Sequence, residues 1–390
     1  MRRALVFGWG RRRSALVVAA GLLALTACGG GGALTGRLAA AGENIPAPVP
    51  SPSATSSPVP SSPAPVVTAP PSTPAASSPP PLTSPPSSTP PAAGDPVARY
   101  SPGMAYDAKD QVVVMFGGAT WDNTCDCQDY LGDTWLWDGR TWRQVDPAHS
   151  PSARAYPEMA YDPADGEIVL FGGSGWSGSL SDTWTWNGSD WTQQSSSVSP
   201  PATTIQEGMA FFPAMGTVLL YSGDNPQGGN ALYSWNGSNW GQIAVPGIPL
   251  ASSFKAGMAM DPDGRAMNLL IFDDNDMTNL HDWTFDGTGW RQLTVTTPPT
   301  RALVQTAADD RSGDIVMFGG SDHNDTWVSS GGDWTQVFPP HSPPSLSGSG
   351  PTPGVAYDAA TGQVVLFGGW NDGAVNSTWT WNGRDWTQVG

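Results

Sequence analysis

The chain has 390 residues, and its 34 acidic and 17 basic side chains give a formal net charge of −17 at pH 7. A chain this acidic is repelled by nucleic acid and by anionic membrane surfaces, so we expect neither as a binding partner. The length allows one large folded unit or a repeat array, together with segments that do not fold.

Residues 1–27 have the pattern of a secretory signal. Arginines precede an apolar run from Ala15 to Leu25, which is too short to cross a bilayer as a mature helix. The run ends in Leu-Thr-Ala before Cys28, which resembles the lipobox of bacterial lipoproteins. That resemblance implies acylation of Cys28 and anchoring of the exported protein on the outer face of a bacterial cell membrane. The alternative is an ordinary signal peptide with a chance cysteine.

Residues 28–96 are predicted to form a disordered stalk. The segment begins with glycines and is rich in Pro, Ser and Thr from residue 45 onward. Such a composition cannot bury a core and favours extended polyproline II. At about 3.1 Å per residue the Pro-rich part can reach on the order of 150 Å. We expect it to hold the folded part away from the membrane; a Pro-rich ligand for a partner domain is the alternative.

Residues 97–390 repeat one pattern six times, in units of about 99–146, 154–195, 204–245, 253–295, 301–338 and 350–390. Each unit contains four short runs, called strands a to d. In the second unit these are MAYD, EIVLFGG, DTWTW and DWTQ. Asn187-Gly188 between c and d predicts a tight hairpin turn, because both residues accept a positive φ. The pattern therefore predicts four antiparallel strands per unit.

The period, the glycine doublet after strand b and the tryptophan opening strand d resemble the kelch family, which includes the central domain of galactose oxidase. The resemblance covers residues 99–390 and implies an all-β, six-bladed β-propeller of four-stranded antiparallel blades. Sheets that are apolar on both faces need a neighbour on each side, which agrees with this fold. The tryptophans of strands c and d are then core residues. The glycines let the backbone leave strand b where a Cβ would clash.

Cys125 and Cys127 lie in the loop between strands b and c of the first blade. No other Cys or His accompanies them in that loop, so the pair makes a poor zinc site. A local disulfide is the preferred interpretation, although a bridge across one residue closes almost no chain. We predict no metal and no other cofactor.

One face of the propeller is predicted to carry the b–c loops and the chain entering each strand a, and the other face the short a–b and c–d turns. The b–c loops differ from one another, which is typical of binding loops. The four histidines, at positions 149, 281, 323 and 341, map to the same face. The candidate ligand-binding residues there are Trp121, Asp122, Trp176, Trp370, Asn371, Asp372, Arg99, Arg154 and Arg301. Alternatively, the tryptophans cap their blades and the arginines pair with acids of the next blade.

These features predict a monomeric, non-catalytic module that binds a glycan or a protein. Tryptophan rings stack on sugar C–H faces while polar groups bind hydroxyls, and Trp and Arg also anchor protein interfaces. Kelch-type copper radical oxidases and six-bladed sialidases resemble the chain in fold, so a carbohydrate-active enzyme is one alternative. Neither the cysteine–tyrosine copper centre nor the sialidase Ser-x-Asp-x-Gly-x-Thr-Trp box can be assembled from this sequence. A structural scaffold of the cell envelope is another alternative.

Overall fold

A computed structural model of the protein describes residues 94–122, 127–202, 208–222, 230–247, 254–272, 280–299, 301, 303–330, 332–346 and 351–389. The described part contains six four-stranded antiparallel sheets, each built from one sequence repeat, and two short hairpins. The predicted all-β, six-bladed propeller is therefore confirmed. Among the described residues, no helix is long and apolar enough to cross a membrane. The predicted signal, Cys28 and the stalk up to residue 93 lie outside the described residues.

The first three blades share the strand order a-b-c-d, and the first two add a hairpin between b and c. Blade 1 comprises β1 (Gly103–Asp107), β2 (Val112–Phe116), the hairpin β3 (Ala119–Asp122) and β4 (Cys127–Tyr130), β5 (Thr134–Trp137) and β6 (Trp142–Val145). Blade 2 comprises β7 (Glu158–Asp162), β8 (Glu167–Phe171), the hairpin β9 (Ser174–Gly175) and β10 (Gly178–Ser179), β11 (Thr183–Trp186) and β12 (Trp191–Gln194). Blade 3 comprises β13 (Gly208–Phe212), β14 (Thr217–Ser222), β15 (Ala231–Trp235) and β16 (Trp240–Ile243).

The last three blades have the same strand order. Blade 4 comprises β17 (Phe254–Met260), β18 (Met267–Phe272), β19 (Leu280–Phe285) and β20 (Trp290–Gln292). Blade 5 comprises β21 (Gln305–Asp309), β22 (Asp314–Phe318), β23 (Thr326–Ser329) and β24 (Trp334–Val337). Blade 6 comprises β25 (Gly354–Asp358), β26 (Gln363–Phe367), β27 (Thr378–Trp381) and β28 (Trp386–Val389).

The a strands form the inner ring. Strand β1 contacts both β7 and β25, and each other a strand contacts the a strands of its two neighbours. The b strands are buried on both faces, which is why they read as continuous apolar runs rather than alternating ones. In β2, for example, all four residues from Val113 to Phe116 are inaccessible to solvent.

The turns between strands are held by Asp and Asn side chains. The Asp107 carboxylate accepts hydrogen bonds from the backbone N–H groups of Lys109 and Asp110, at 3.0 and 3.2 Å, as expected of a turn-forming aspartate. The hairpin predicted between strands c and d of blade 2 is present, but its turn is longer than the predicted two residues, Asn187 and Gly188. Trp186 pairs with Trp191, so four residues form the turn, and only Gly188 of the predicted pair has a positive φ, 101°.

Five of the six pairs of neighbouring blades are joined by a hydrogen bond from a strand-d tryptophan, and aromatic rings pack against each other across most of these interfaces. Trp191 of blade 2 lies edge-to-face against Phe116 of blade 1, with ring centroids 5.4 Å apart. Its indole N–H donates to the Thr134 hydroxyl at 3.0 Å. The predicted packing role of these tryptophans is thus confirmed. The same bond runs from a strand-d tryptophan to strand c of the preceding blade in Trp142–Thr378, Trp240–Thr183, Trp334–Asp282 and Trp386–Thr326.

The bond is missing between blades 3 and 4. Leu232 occupies the position that Thr183 occupies in blade 2, and it offers no acceptor. The buried indole N–H of Trp290 accordingly has no hydrogen-bond partner among the described residues. Packing of Trp290 against Tyr221, with centroids 5.9 Å apart, remains at this interface.

The ring closes through the chain that enters β1. The Arg99 N–H donates to the Val375 carbonyl at 3.0 Å, and the Gly369 N–H donates to the Arg99 carbonyl at 2.9 Å. Ser101 adds a bond from its N–H to the Thr352 carbonyl. The chain entering β1 therefore reaches across to blade 6 and contributes to closure of the ring.

Replacing Thr183 by valine tests the bond between blades. The variant keeps the shape of the side chain but leaves the buried Trp240 indole N–H without an acceptor. An unsatisfied buried donor costs about 1–3 kcal/mol, so we expect the free energy of unfolding in urea, followed by tryptophan fluorescence, to fall by that amount. The matched control is Thr192→Val, because Thr192 is exposed on strand β12. Equal stability of the two variants would contradict the role assigned to the bond.

Asp282 makes the interface between blades 4 and 5 sensitive to pH. Burial raises the pKa of its carboxyl from 3.8 to about 6, against the opposing effect of the Trp334 hydrogen bond. Because the folded state holds this proton more tightly than the unfolded state, stability should fall as the pH rises from about 4 to about 6, by at most about 3 kcal/mol. Asp282→Asn should remove this decrease in a series of urea titrations across that range. An unchanged pH profile in the variant would refute the assignment.

Candidate functional site

Among the described residues, the b–c loops of blades 1 and 6 lie beside the segment entering strand a of the next blade, as predicted. The Gly118 N–H donates to the Arg154 carbonyl at 2.8 Å, which links the b–c loop of blade 1 to the segment entering blade 2. The a–b turns likewise meet the c–d turns of the next blade, since the Lys109 ammonium donates to the Asn187 carbonyl at 3.4 Å.

The glycine doublets make the close approach between loop and segment possible. Gly117 and Gly118 have φ values of 67° and 99°. A Cβ on Gly117 would lie 2.5 Å from the Arg154 carbonyl oxygen, and one on Gly369 would lie 2.4 Å from the Leu346 carbonyl oxygen. No side chain fits at such distances, so the predicted reason for the doublet is confirmed.

The three predicted arginines are buried within their own blades. The Arg99 guanidinium bonds both carboxylate oxygens of Asp133, at 2.6 and 2.9 Å, and the Gly117 carbonyl at 2.8 Å. Arg154 makes the same contacts with Asp182 and the Gly172 carbonyl. Arg301 repeats them with Asp325 and the Gly319 carbonyl.

Each of these aspartates is shared with a tryptophan, so the arrangement is a fixed triad. The Trp135 indole N–H donates to Asp133 at 2.7 Å. Burial favours a raised pKa for Asp133, but the hydrogen bonds and charge of Arg99, with the Trp135 bond, hold the pKa below its usual value. In blade 6 Ser377 replaces the aspartate, and the buried indole N–H of Trp379 has no partner among the described residues.

These contacts do not agree with the predicted ligand-binding role of Arg99, Arg154 and Arg301. Their side chains are inaccessible to solvent, and their donors are occupied by carboxylates and carbonyl groups of the protein. Each arginine bonds to an aspartate of its own blade. The alternative interpretation, pairing with an acid of the next blade, is therefore wrong. We therefore describe them as part of the frame that positions the loops.

An aromatic surface lies on the b–c face of blades 6, 1 and 2. Trp370 packs edge-to-face on Tyr100 with centroids 5.5 Å apart, and Trp176 packs in the same way on Tyr130 at 5.3 Å. Tyr100, Tyr130, Tyr156 and Trp370 belong to one hydrophobic cluster. We call Tyr100, Trp121, Tyr130, Tyr156, Trp176 and Trp370 the aromatic surface.

The two hairpins project the exposed members of this surface. Trp176 lies in the β9–β10 turn and is 67% exposed, and Trp121 of β3 is 39% exposed. Ala119 pairs with Tyr130 in the β3–β4 hairpin. Because side chains alternate along a strand, Trp121 is on the same side of the hairpin as Ala119 and Tyr130.

The base of the aromatic surface is rigid and uncharged. Tyr100 is almost fully buried, and its backbone pairs with Ala119, which ties the β3–β4 hairpin to the chain entering β1. Burial, followed by the neighbouring Tyr156 and Tyr130, raises the pKa of Tyr100 to about 12. Burial also raises the pKa of Tyr156. Both hydroxyls therefore remain protonated at neutral pH.

The predicted polar residues border this surface. Asn371 and Asp372 are exposed in the tight turn that follows Trp370, where the Asn371 N–H donates to the Gly373 carbonyl at 2.9 Å. Asp122 ends strand β3, and its side chain lies outside the described residues. Sequence reasoning missed the three tyrosines. The sequence position of two of them could have revealed them, since Tyr100 and Tyr156 follow Arg99 and Arg154 within two residues.

The cysteine and histidine predictions have separate outcomes. Cys127 is disulfide-bonded, while Cys125 lies outside the described residues. His149 and His341 bond to Asp190 and Asp385, each just before strand d of the next blade. These two histidines lie between a strand d and the next strand a, as predicted, but beside a c–d turn of the next blade rather than beside the b–c loops. In the described part of the chain, no group of three or more His, Cys, Asp or Glu side chains is arranged to hold a metal ion.

Comparisons with known proteins support the fold and leave the function open. No protein-family model matches the sequence, and no curated protein matches it. Among solved structures 429 chains match, so the architecture is widely shared and does not by itself indicate a function. One of them, described as "Structure of YjhT", is 14% identical with a TM-score of 0.53, over 76% of this chain and 99% of that chain. The chain is thus similar to a propeller, the class of protein that its blades define.

Proposed function

We propose that this propeller is a non-catalytic binding module that recognises carbohydrate through the aromatic surface. The observation that carries the proposal is the exposure of Trp176, 67%, on a continuous aromatic cluster. A contiguous exposed apolar patch, unlike a single exposed side chain, marks an interaction site. A flat, rigid ring with polar neighbours suits the C–H faces and hydroxyl groups of a sugar.

The surroundings of the aromatic surface support binding rather than catalysis. Arg99, Arg154 and Arg301 are engaged with aspartates, so they do not form an open triad for a substrate carboxylate as the sialidase alternative would need. The exposed polar groups nearest Trp370 are Asn371 and Asp372, which can bond sugar hydroxyls. Within this proposal the chain is a monomeric kelch-type propeller. The alternative is that the aromatic surface binds a protein, and the experiment below distinguishes the two ligands.

We further propose that the protein is exported and anchored through Cys28. The proposal is supported by the Leu-Thr-Ala-Cys sequence after an apolar run and by the Pro-rich segment that follows. Acyl chains on the N-terminal cysteine would hold the protein at the outer face of a bacterial membrane, and the Pro-rich segment would present the aromatic surface at a distance from it.

Removal of the exposed tryptophans tests the carbohydrate proposal. The full-length protein is applied to a glycan array, and the affinity for the best-bound glycan is measured by calorimetry. Trp121→Ala with Trp176→Ala should weaken binding by about fivefold to a hundredfold, because each stacked ring contributes about 0.5–1.5 kcal/mol.

The matched control is Phe338→Ala, since Phe338 is 81% exposed outside the aromatic surface, and this variant should bind as the original protein does. If the original protein binds no glycan, or if the double variant binds equally well, the carbohydrate proposal fails. Loss of binding to a purified protein partner in the double variant, without any glycan binding, would instead favour a protein ligand.

Replacement of Cys28 tests the anchor. When the gene is expressed in a bacterium that processes lipoproteins, the original protein should sediment with membranes. Cys28→Ala should release it into the soluble fraction, because no acyl chain can be attached. If both proteins fractionate alike, acylation at Cys28 is refuted. Cys28→Ser gives the same readout with the smallest change in side-chain size.

A further inference from the structure

The opposite end of the channel holds a cavity that the carbohydrate proposal does not use. It is lined by the residues that occupy the fourth position of the five-residue a strands and the equivalent position of β17. Its volume is about 460 Å³, within the range of pockets that hold small ligands. These six equivalent residues, in blade order, are Tyr106, Tyr161, Phe211, Met260, Ala308 and Tyr357.

Four methionines, with Thr306 and Val355, line the inner end of the cavity. Met104, Met159, Met209 and Met258 occupy the second position of strands β1, β7 and β13 and the equivalent position of β17, and each is less than one-tenth exposed. The space on their other side, towards the b–c face, is only about 90 Å³. A molecule that enters between the a–b turns therefore meets a ring that contains flexible, polarisable thioethers.

The tyrosines of the wall lie beside the neighbouring blade. Tyr106 lies near the backbone of Ala360, Tyr161 near that of Lys109, and Tyr357 near that of Arg311. All three tyrosines line the cavity.

Blade 5 breaks the pattern and leaves a recess. Ala308 occupies the position where three other blades have tyrosine, so the wall is set back on that side. Among the described residues that line the cavity, the charged ones are two aspartates, Asp261 and Asp310. Burial raises the pKa of both carboxyl groups, and the neighbouring Asp309 adds to the effect at Asp310.

We propose that this cavity binds a small organic cation with an aromatic or apolar body, such as an arylalkyl amine. The body would occupy the recess left by Ala308 and pack on the aromatic wall, and the ammonium group would pair with Asp310 or Asp261. Aromatic faces attract cations, by about 0.5–2 kcal/mol each, and partly desolvated carboxylates gain from a nearby positive charge. An anion of the same shape would be repelled. The site lies at the opposite end of the a strands from the aromatic surface, so it does not depend on carbohydrate binding.

Three indoles of similar size and different charge test the proposal. Tryptamine is cationic at pH 7, indole-3-ethanol is neutral and indole-3-acetate is anionic. Calorimetric titration of the full-length protein should give saturable binding of tryptamine in the micromolar to low millimolar range. Binding of the neutral analogue should be about fivefold to tenfold weaker, and binding of the anion should not be measurable. Absence of saturable tryptamine binding, or equal binding of all three, would overturn the proposal.

Variants locate the binding. Ala308→Tyr restores the residue of the other blades and fills the recess, so tryptamine binding should be lost while the midpoint of thermal unfolding is kept. Asp310→Asn should remove most of the preference for tryptamine over indole-3-ethanol. Trp176→Ala, on the other face, should bind tryptamine as the original protein does. Tryptamine binding that is unchanged in Ala308→Tyr, or lost in Trp176→Ala, would place it elsewhere and refute the cavity as the site.

Discussion

The hydrogen bond from a strand-d tryptophan to strand c of the preceding blade determines how the blades fit together. Apolar sheet faces alone allow many relative positions, because the hydrophobic effect has no direction. A buried indole N–H is stabilised by an acceptor, and in five of the six interfaces the preceding blade provides one at an equivalent place on strand c, as in Trp191–Thr134. The pair Trp142–Thr378 repeats it between the first and last blades and so helps to close the ring.

The arginine–aspartate–tryptophan triads fix the loops of the b–c face to the blades. The Arg154 side chain bonds within blade 2 while its carbonyl accepts from Gly118 of blade 1, so one residue fixes both its own blade and the loop beside it. The buried pair is costly to desolvate and is stable only because every contact is satisfied. Loops held in this way can keep exposed aromatic side chains in defined positions.

Both proposed sites arise where the repeats differ. The aromatic surface is built from two hairpins and one turn inserted after the glycine doublets of blades 1, 2 and 6, and the cavity is widened where Ala308 replaces tyrosine. Shared residues such as Trp240 and Gly117 are needed for packing and loop geometry in every blade, which leaves them little freedom to acquire a ligand. The chemistry of the two sites also differs, because one is an open platform and the other is a cavity bordered by carboxylates.

The sequence by itself determined the number of blades, the four-strand order and the packing role of the tryptophans, because periodicity and turn residues are local signals repeated six times. It also placed Trp121, Trp176 and Trp370 on one face, since strand direction fixes which loops share a side. Only the tertiary structure showed that Arg99, Arg154 and Arg301 are buried, that Tyr100, Tyr130 and Tyr156 complete the aromatic surface, and that four methionines line the channel. These properties depend on which groups from distant segments meet, and neither spacing nor composition reports that.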